Sequence, residues 1–222
     1  KINKGETFAI IGATGSGKST LVNLIARFYD VSSGEILLNG VNLKEYSEKD
    51  IQNKISMAPQ RAILFKGDVK SNVTYGSDSA VDDNDEKLIN CLKLAQADFV
   101  FELEKGIHSD VAQGGTNFSG GQKQRLSIAR SLFKNSEIVI FDDTFSALDY
   151  KTDMLVRKGI NENLKDLTKI IVAQRIGTIK NANQILVLDQ GEIKGIGTHD
   201  MLLSTCPIYK EIALSQLKEE EL

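Results

Sequence analysis

A glycine-rich segment near the N-terminus has the residue types and spacing needed to bind phosphate. Residues 12–20 read GATGSGKST and fit G-x-x-x-x-G-K-[ST], the pattern of a phosphate-binding P-loop. Glycines let backbone N–H groups turn toward phosphate oxygens without a Cβ in the way. The pattern predicts that Lys18 reaches the β- and γ-phosphates of a nucleotide and that the Ser19 hydroxyl coordinates Mg²⁺.

The flanks of this segment agree with the pattern. Residues 7–11 form an apolar run short enough for a buried strand, and residues 21–28 have apolar side chains at helical spacing. A helix that begins here would add positive partial charge next to the phosphates. The alternative, a glycine-rich structural turn, does not explain both flanks. The predicted ATP-binding residues of the loop are Gly12, Thr14, Gly15, Ser16, Gly17, Lys18, Ser19 and Thr20.

A second acidic position follows a buried strand downstream. Residues 138–141 are continuously apolar, as in a parallel sheet, and Asp142 and Asp143 come directly after them. Asp142 is therefore where the carboxylate partner of a P-loop Mg²⁺ is expected. Alone it could be an ordinary strand-end residue, and it is the P-loop that gives it this meaning.

The totals exclude several classes of protein. The chain has 222 residues, with 27 Lys+Arg against 30 Asp+Glu, which gives a net charge of −3 and no electrostatic footprint for nucleic acid. Its two cysteines indicate reduced thiols rather than a disulfide scaffold. No apolar run approaches the roughly 20 residues of a membrane span. Because the chain starts at Lys1 and its first strand follows almost at once, we expect an N-terminal portion to lie outside this fragment.

Alternating strands and helices predict an α/β fold with a mostly parallel sheet, a P-loop NTPase core. The dipeptide Asn39-Gly40 and residues 189–191 each predict a hairpin, the first of them an antiparallel portion on the N-terminal side. The acidic residues 82–85 predict a solvated helix start. We expect a core lobe of residues 1–60 and 135–222 and a helical lobe of about residues 61–134.

A serine-glycine-glycine segment precedes a predicted helix 23 residues before Asp142. Ser119, Gly120, Gly121 and Gln122 would form a second helix N-terminus able to bind an anion, or a simple capped helix start. The order of P-loop, Gln60, this segment, the acidic strand end and residues 146–149 (SALD) resembles the nucleotide-binding domain of ATP-binding cassette (ABC) transporters. The exporter type is most similar, judging by residues 60–76, 111–115 and 195–199.

The resemblance implies further roles and partners. Gln60 matches the glutamine that contacts Mg²⁺ and the transmembrane coupling helices, so the implied Mg²⁺ ligands are Ser19, Gln60 and Asp142, and Gln60 joins the ATP-binding residues. The segment Ser119–Gln122 matches the signature, which acts on the ATP held by a partner's P-loop. Asp149 matches the D-loop aspartate, which crosses the dimer interface. Two such domains would hold two ATP molecules head to tail beneath transmembrane domains, at the cytoplasmic face of a membrane.

Two positions depart from the family pattern. The general base is a glutamate in the family and is Asp143 here, and the switch histidine is Gln174 here. The shorter Asp143 would misplace a base by roughly 1 Å, which can cost on the order of 10²-fold in rate. Gln174 donates hydrogen bonds but carries no charge at neutral pH. The two histidines, His108 and His199, lie outside the switch position and are predicted to be surface residues.

These departures predict a specific function. ATP binding should survive, hydrolysis that uses Lys18, Asp143 and Gln174 should be slow, and the signature should serve the partner, as in the degenerate half of a heterodimeric exporter. Phe118 stands where leucine is usual, and the aromatic residue that stacks on adenine lies upstream of this fragment. Open alternatives are a slow homodimeric ATPase, a non-hydrolysing regulatory ATP-binding module, and a nucleic-acid-associated ABC ATPase. The net charge and the lack of a long heptad insertion disfavour the last of these.

Overall fold

The computed structural model describes residues 1–77 and 85–217, so the predicted helix start at residues 82–84 lies outside the described part. The strands are β1 (Thr7–Ile11), β2 (Leu37–Leu38), β3 (Val41–Asn42), β4 (Ile55–Ala58), β5 (Gly67–Asp68), β6 (Asp110–Val111), β7 (Ile138–Asp142), β8 (Thr168–Val172), β9 (Gln184–Asp189) and β10 (Glu192–Gly197). The helices are α1 (Lys18–Ile25), α2 (Glu48–Lys54), α3 (Val69–Thr74), α4 (Asp85–Leu94), α5 (Gly120–Phe133), α6 (Tyr150–Asn163), α7 (Ile176–Ile179), α8 (His199–Thr205) and α9 (Pro207–Leu214). Short 3₁₀ turns lie at Leu43–Glu45, Asp98–Glu102, Gly106–His108, Gln113–Gly115 and Thr144–Ala147.

The main sheet has six strands in the order β10-β9-β1-β8-β7-β4. Strands β9, β1, β8 and β7 pair in parallel, and β10 adds to β9 in antiparallel fashion. Crossover order of this kind brings the carboxyl ends of parallel strands to one edge of the sheet. The α/β prediction is therefore confirmed, and the edge beyond β1, β8 and β7 is where the predicted site residues of these strands meet.

Both predicted hairpins are confirmed, and their turns have the expected geometry. Asn39 and Gly40 have φ of 53° and 80°, as a two-residue type I′ turn between β2 and β3 requires. Gln190 and Gly191, with φ of 48° and 79°, make the corresponding turn between β9 and β10. Such turns match the right-handed twist of the paired strands.

The chain divides into two compact units. The first comprises residues 1–57, 137–143 and 166–222, and contains the main sheet with a core formed by one face of β1, β8 and β7 against α1 and α2. Core members include Phe8, Ile10, Val22, Ile51, Ile140, Ile170 and Val172. Every residue of β8 is buried, as expected of a central parallel strand.

The second unit comprises residues 58–136 and 144–165 and is mostly helical. Helix α5 packs against α3 and α4, and α4 also contacts α6. Leu88, Leu92, Leu126, Ile128 and Val156 are fully buried there. Residues 144–165 group with this unit by their contacts, whereas the sequence-based lobes placed them with the core. No helix within residues 1–77 and 85–217 is both long enough and apolar enough to span a membrane.

Candidate nucleotide-binding site

The P-loop segment connects the end of β1 to the start of α1, as the sequence predicts for a phosphate loop. Gly15 and Gly17 have φ of 82° and 101°, a conformation that L side chains rarely adopt. A Cβ at Gly12 would lie 1.9 Å from the carbonyl oxygen of Leu188 in β9, so only glycine fits there. The Gly191 N–H also donates to the Ser16 carbonyl at 3.0 Å. The β9–β10 hairpin therefore supports the loop from one side, a role that the sequence did not reveal.

Lys18 lies at the start of α1 with its ammonium group inside the loop. Its Nζ donates to the carbonyl oxygens of Gly12 (2.9 Å) and Ala13 (2.7 Å). Burial lowers the pKa of Lys18, and the negative charges of Asp143 and Asp142 oppose this shift. The loop thus encloses a cation at the point where backbone N–H groups of a helix N-terminus converge, an arrangement suited to an anion.

Ser19 and Asp142 meet at the edge of the sheet. The Ser19 hydroxyl donates to the Asp142 carboxylate, with 3.3 Å between Oγ and Oδ1. Burial raises the pKa of Asp142, the neighbouring Asp143 charge raises it further, and the Ser19 hydrogen bond lowers it. A bound cation would offset the cost of this buried charge.

A hydroxyl and a carboxylate oxygen are ligands of the kind that Mg²⁺ prefers, so Ser19 and Asp142 fit the implied ion. Within the described residues, no cluster of three or more His, Cys, Asp or Glu side chains could hold a metal. Hydroxyl, phosphate and water oxygens are further ligands that Mg²⁺ accepts beside a carboxylate such as that of Asp142. Gln60, the third implied ligand, lies in the second unit, just after β4.

Asp143 and Gln174, the two positions that depart from the family pattern, contact each other. The Gln174 side-chain amide donates to Asp143 Oδ2 at 2.9 Å. Asp143 has φ of 48°, uncommon for a residue other than glycine, and its backbone N–H donates to the Val172 carbonyl at 3.0 Å. Asp143 is buried, whereas Gln174 is exposed. Asp143 is therefore restrained by one hydrogen bond from its backbone N–H and by another to its side-chain carboxylate.

The predicted signature forms the N-terminus of α5 in the second unit. Ser119 is the N-cap: its Oγ accepts from the Gln122 N–H (3.3 Å), while Gln122 Oε1 accepts from the Ser119 N–H (2.9 Å). This is a capping box, which satisfies two of the donors at the helix start. The first N–H groups of a helix have no partner within it, so those of Gly120 and Gly121 can bind an anion. The simple-cap interpretation and the anion-binding one are compatible here.

An aromatic and cationic stack supports the signature and was missed from the sequence. The Phe99 ring centroid lies 5.9 Å from that of Phe118, and the Arg125 guanidinium lies 4.8 Å from the Phe99 ring centroid. Arg125 also donates to the Gln96 carbonyl at 2.6 Å. The stack provides an aromatic partner for the unusual Phe118.

Asp149 caps α6 in the same unit by accepting from the Thr152 N–H at 3.0 Å.

The prediction that both histidines are surface residues is wrong for His199. His108 is exposed, but His199 is half-buried, and its Nδ1 lies 2.7 Å from the hydroxyl of the fully buried Tyr209. Burial lowers the pKa of His199. The glycine-flanked sequence around His199 concealed this contact, because its partner comes ten residues later on another helix.

Comparison with known proteins identifies the family. The family model described as "ABC transporter" matches residues 1–146. The chain therefore belongs to the ABC transporter family.

Several relatives and one solved structure extend this result. An uncharacterized ABC transporter ATP-binding protein of Mycobacterium bovis is 45% identical over 212 residues, which cover 96% of this chain and 36% of that protein. A Staphylococcus aureus protein assigned to multidrug export as an ATP-binding/permease protein is 42% identical over 212 residues, covering 95% and 36% of the two chains. A bacterial Atm1-family ABC exporter solved with ATP bound superposes with a TM-score of 0.90 at 35% identity, covering 95% of this chain and 37% of that one. The chain thus spans little more than a third of these proteins.

Proposed function

We propose that this chain is the ATP-binding and ATP-hydrolysing domain of an ABC exporter. The observation that supports this best is the pairing of Ser19 with Asp142 beside the enclosed Lys18 ammonium. A serine hydroxyl, a strand-end carboxylate and a lysine at a helix N-terminus are the parts a P-loop enzyme uses to hold Mg²⁺ and phosphates. The similarity to proteins named for export and to an exporter structure supports the transport role.

The residues of this chain would divide the work of phosphoryl transfer. Lys18 and the N–H groups of residues 15–20 would bind and orient the phosphate oxygens, and Ser19 and Asp142 would hold a Mg²⁺ that neutralises phosphate charge. The family resemblance adds Gln60 as a further ligand. Asp143 would accept the proton of the attacking water, and Gln174 would hydrogen-bond the terminal phosphate.

We further propose that hydrolysis at this P-loop is slow. Asp143 is one methylene shorter than the family's glutamate, and one of its oxygens already accepts from Gln174 at 2.9 Å. Gln174 is neutral and, while it donates to Asp143, its amide nitrogen points toward the carboxylate. The hydrogen bond between Asp143 and Gln174 therefore competes with the contacts that each side chain would need for hydrolysis. Asp143 would need to contact the attacking water, and Gln174 would need to contact the terminal phosphate.

The signature and D-loop belong, in this proposal, to a partner's site. Ser119, Gly120, Gly121 and Gln122 would bind the terminal phosphate held by a second ABC domain, and Asp149 would cross the interface. We propose a head-to-tail heterodimer beneath transmembrane domains at the cytoplasmic face of a membrane. A slow homodimer remains the second candidate, because Asp143 is still able to act as a base.

The Mg²⁺ dependence of ATP binding tests the central part of this proposal. We expect Asp142→Asn to leave ATP affinity in EDTA within about threefold of the wild type and to remove most of the gain that Mg²⁺ gives. Titration of the full-length transporter with a fluorescent ATP analogue measures both. An unchanged Mg²⁺ gain would exclude Asp142 as a ligand. Single-turnover hydrolysis in the same preparation separates an ATPase from a regulatory module that binds ATP without hydrolysing it.

A further inference from the structure

The turn that follows α9 contacts the segment that follows β8. The Gln216 side chain accepts from the Ile176 N–H (2.8 Å from N to Oε1) and donates to the Gln174 carbonyl (2.7 Å from Nε2 to O). One primary amide thus bonds a donor and an acceptor two residues apart. These two hydrogen bonds restrain the backbone on both sides of Arg175. They therefore restrain the backbone from which the Gln174 side chain projects.

We call the two Gln216 side-chain hydrogen bonds the Gln216 clamp. Its acceptor, the side-chain oxygen, bonds the Ile176 N–H, a donor that needs a partner. Ile176 is the first residue of α7, so its N–H has no partner inside that helix. Arg175, the N-cap, makes no side-chain capping hydrogen bond, so Gln216 supplies the cap from 40 residues away. Ile176 and Ile179 are buried, which anchors the rest of this short helix.

Gln216 follows a helix, α9, that is packed against the rest of the first unit. Pro207 begins α9, and Tyr209 and Ala213 are both fully buried on its inner face. The N–H of Gln216 donates to the Ala213 carbonyl at 3.0 Å, which fixes its backbone in the turn that follows α9. Gln216 therefore links a packed helix to the segment that carries Gln174.

We propose that Gln216 is a positioning residue that sets where the Gln174 side chain points, and through it how Asp143 is held. The chain of contacts is continuous: Gln216 to the Gln174 backbone, and the Gln174 amide to Asp143 Oδ2 at 2.9 Å. The inference rests on the proposed function only in assuming that residue 174 takes part in hydrolysis at this P-loop. Within the described residues, the Gln216 side chain bonds the Ile176 N–H and the Gln174 carbonyl, so it would act on Asp143 through Gln174.

The energies expected for the clamp make it suited to local control. Each hydrogen bond makes a modest net contribution, so two of them restrain a short segment effectively. The same contribution is a small part of the total free energy that stabilises a typical domain. Loss of Gln216 should therefore loosen residues 174–176 with little effect on the melting temperature.

Hydrogen exchange in the full-length transporter tests the first step. In Gln216→Ala we expect the Ile176 amide to exchange at least about fivefold faster, because its acceptor is removed. Ser215→Ala is the matched control: Ser215 is the adjacent exposed residue, and its hydroxyl donates to the Ile212 carbonyl within the same helix end. It should leave Ile176 exchange unchanged. Unchanged exchange in Gln216→Ala would overturn the proposal.

A double-mutant cycle between Gln216 and Gln174 tests the second step. ATP turnover is measured at this P-loop in the full-length transporter, with the partner's own base disabled. We expect Gln216→Ala to change kcat at least about threefold with the KM for ATP within twofold, and to have no further effect once Gln174 is replaced by alanine. Effects that add independently of Gln174, or an unchanged kcat, would make Gln216 merely structural and overturn the proposal.

A second variant covers the case in which Gln216→Ala fails to fold. Gln216→Glu keeps an acceptor for the Ile176 N–H but removes the donor to the Gln174 carbonyl, so it should preserve Ile176 protection and still change kcat through Gln174. An unchanged kcat in this variant counts against the proposal. The double-mutant cycle does not change Asp143. Failure of the slow-site proposal is detected separately, because replacing Asp143 with glutamate would then not raise the ATPase rate.

Discussion

The P-loop segment and the Asp143–Gln174 pair lie at the same edge of one sheet but follow the family pattern to different extents. Residues 12–20 match it throughout, and the structure places Ser19 Oγ 3.3 Å from Asp142 Oδ1 beside the enclosed Lys18. Asp143 and Gln174 both depart from it, and they hydrogen-bond each other. We therefore expect that ATP binding and ATP turnover can be separated within this site.

The difference has a physical basis in what each half must do. Phosphate binding depends on backbone N–H groups, a lysine and a hydroxyl, which bind the same oxygens before and during reaction. Turnover depends on groups that act on the transition state, where a misplacement of about 1 Å is costly. We therefore expect a change of one methylene at Asp143 to affect turnover far more than phosphate binding.

The largest expected effect tests whether the signature serves another site. Ser119→Arg should leave ATP binding by this chain nearly intact while lowering hydrolysis at the partner's P-loop by about 100-fold or more, since donors to a developing charge are displaced. ATPase assays on the assembled transporter and a binding titration measure the two effects. Ser32→Arg, an exposed serine of the first unit, controls for the added charge. Loss of ATP binding in Ser119→Arg would contradict action on the partner.

The next effect tests the binding half directly. Lys18→Ala should weaken Mg·ATP binding by about 30- to 100-fold, or ~2–3 kcal/mol, because a charge-assisted hydrogen bond to the phosphates is lost. Titration with a fluorescent ATP analogue measures the affinity. Lys4→Ala is the control, because the Lys4 side chain is 79% exposed. Equal affinities for Lys18→Ala and wild type would remove the P-loop assignment.

A smaller effect tests how the loop is supported. Gly12→Ala places a Cβ 1.9 Å from the Leu188 carbonyl oxygen, and we expect overpacking to lower the free energy of unfolding by about 1–3 kcal/mol. In a chain of this size that is a loss of several degrees in melting temperature. Gly120→Ala, where an added Cβ meets nothing within 4 Å, should melt within a degree or two of wild type. Equal melting temperatures for the two variants would show that β9 does not support the loop.

Local patterns predicted much of the fold and the binding half of the site. The Asn39-Gly40 turn, the buried strand before Asp142 and the glycine loop each have a cause within a few neighbouring residues, because turn geometry and strand burial are encoded locally. The relation of Asp142 to Ser19 was predictable only because parallel strands end at one edge of the sheet.

The remainder depends on contacts between residues far apart in the chain. Nothing near Gln216 indicates that it caps α7 40 residues earlier, and nothing near Gly12 indicates that Leu188 will lie against it. The same holds for the bond between His199 and Tyr209, and for residues 144–165, which group with the helical unit. Tertiary packing decides such contacts, and no periodicity or turn signal in the sequence reports them.

The central claim is that the Asp143–Gln174 pair limits turnover at a P-loop that binds ATP normally. The most direct measurement is the ATPase rate of the full-length transporter at this P-loop, with the partner's base disabled and its signature intact. Asp143→Glu combined with Gln174→His should raise that rate at least about tenfold, or ~1.4 kcal/mol of barrier, while each single change gives less. An unchanged rate in the double variant, with ATP affinity retained, would place the slow step elsewhere and contradict the account.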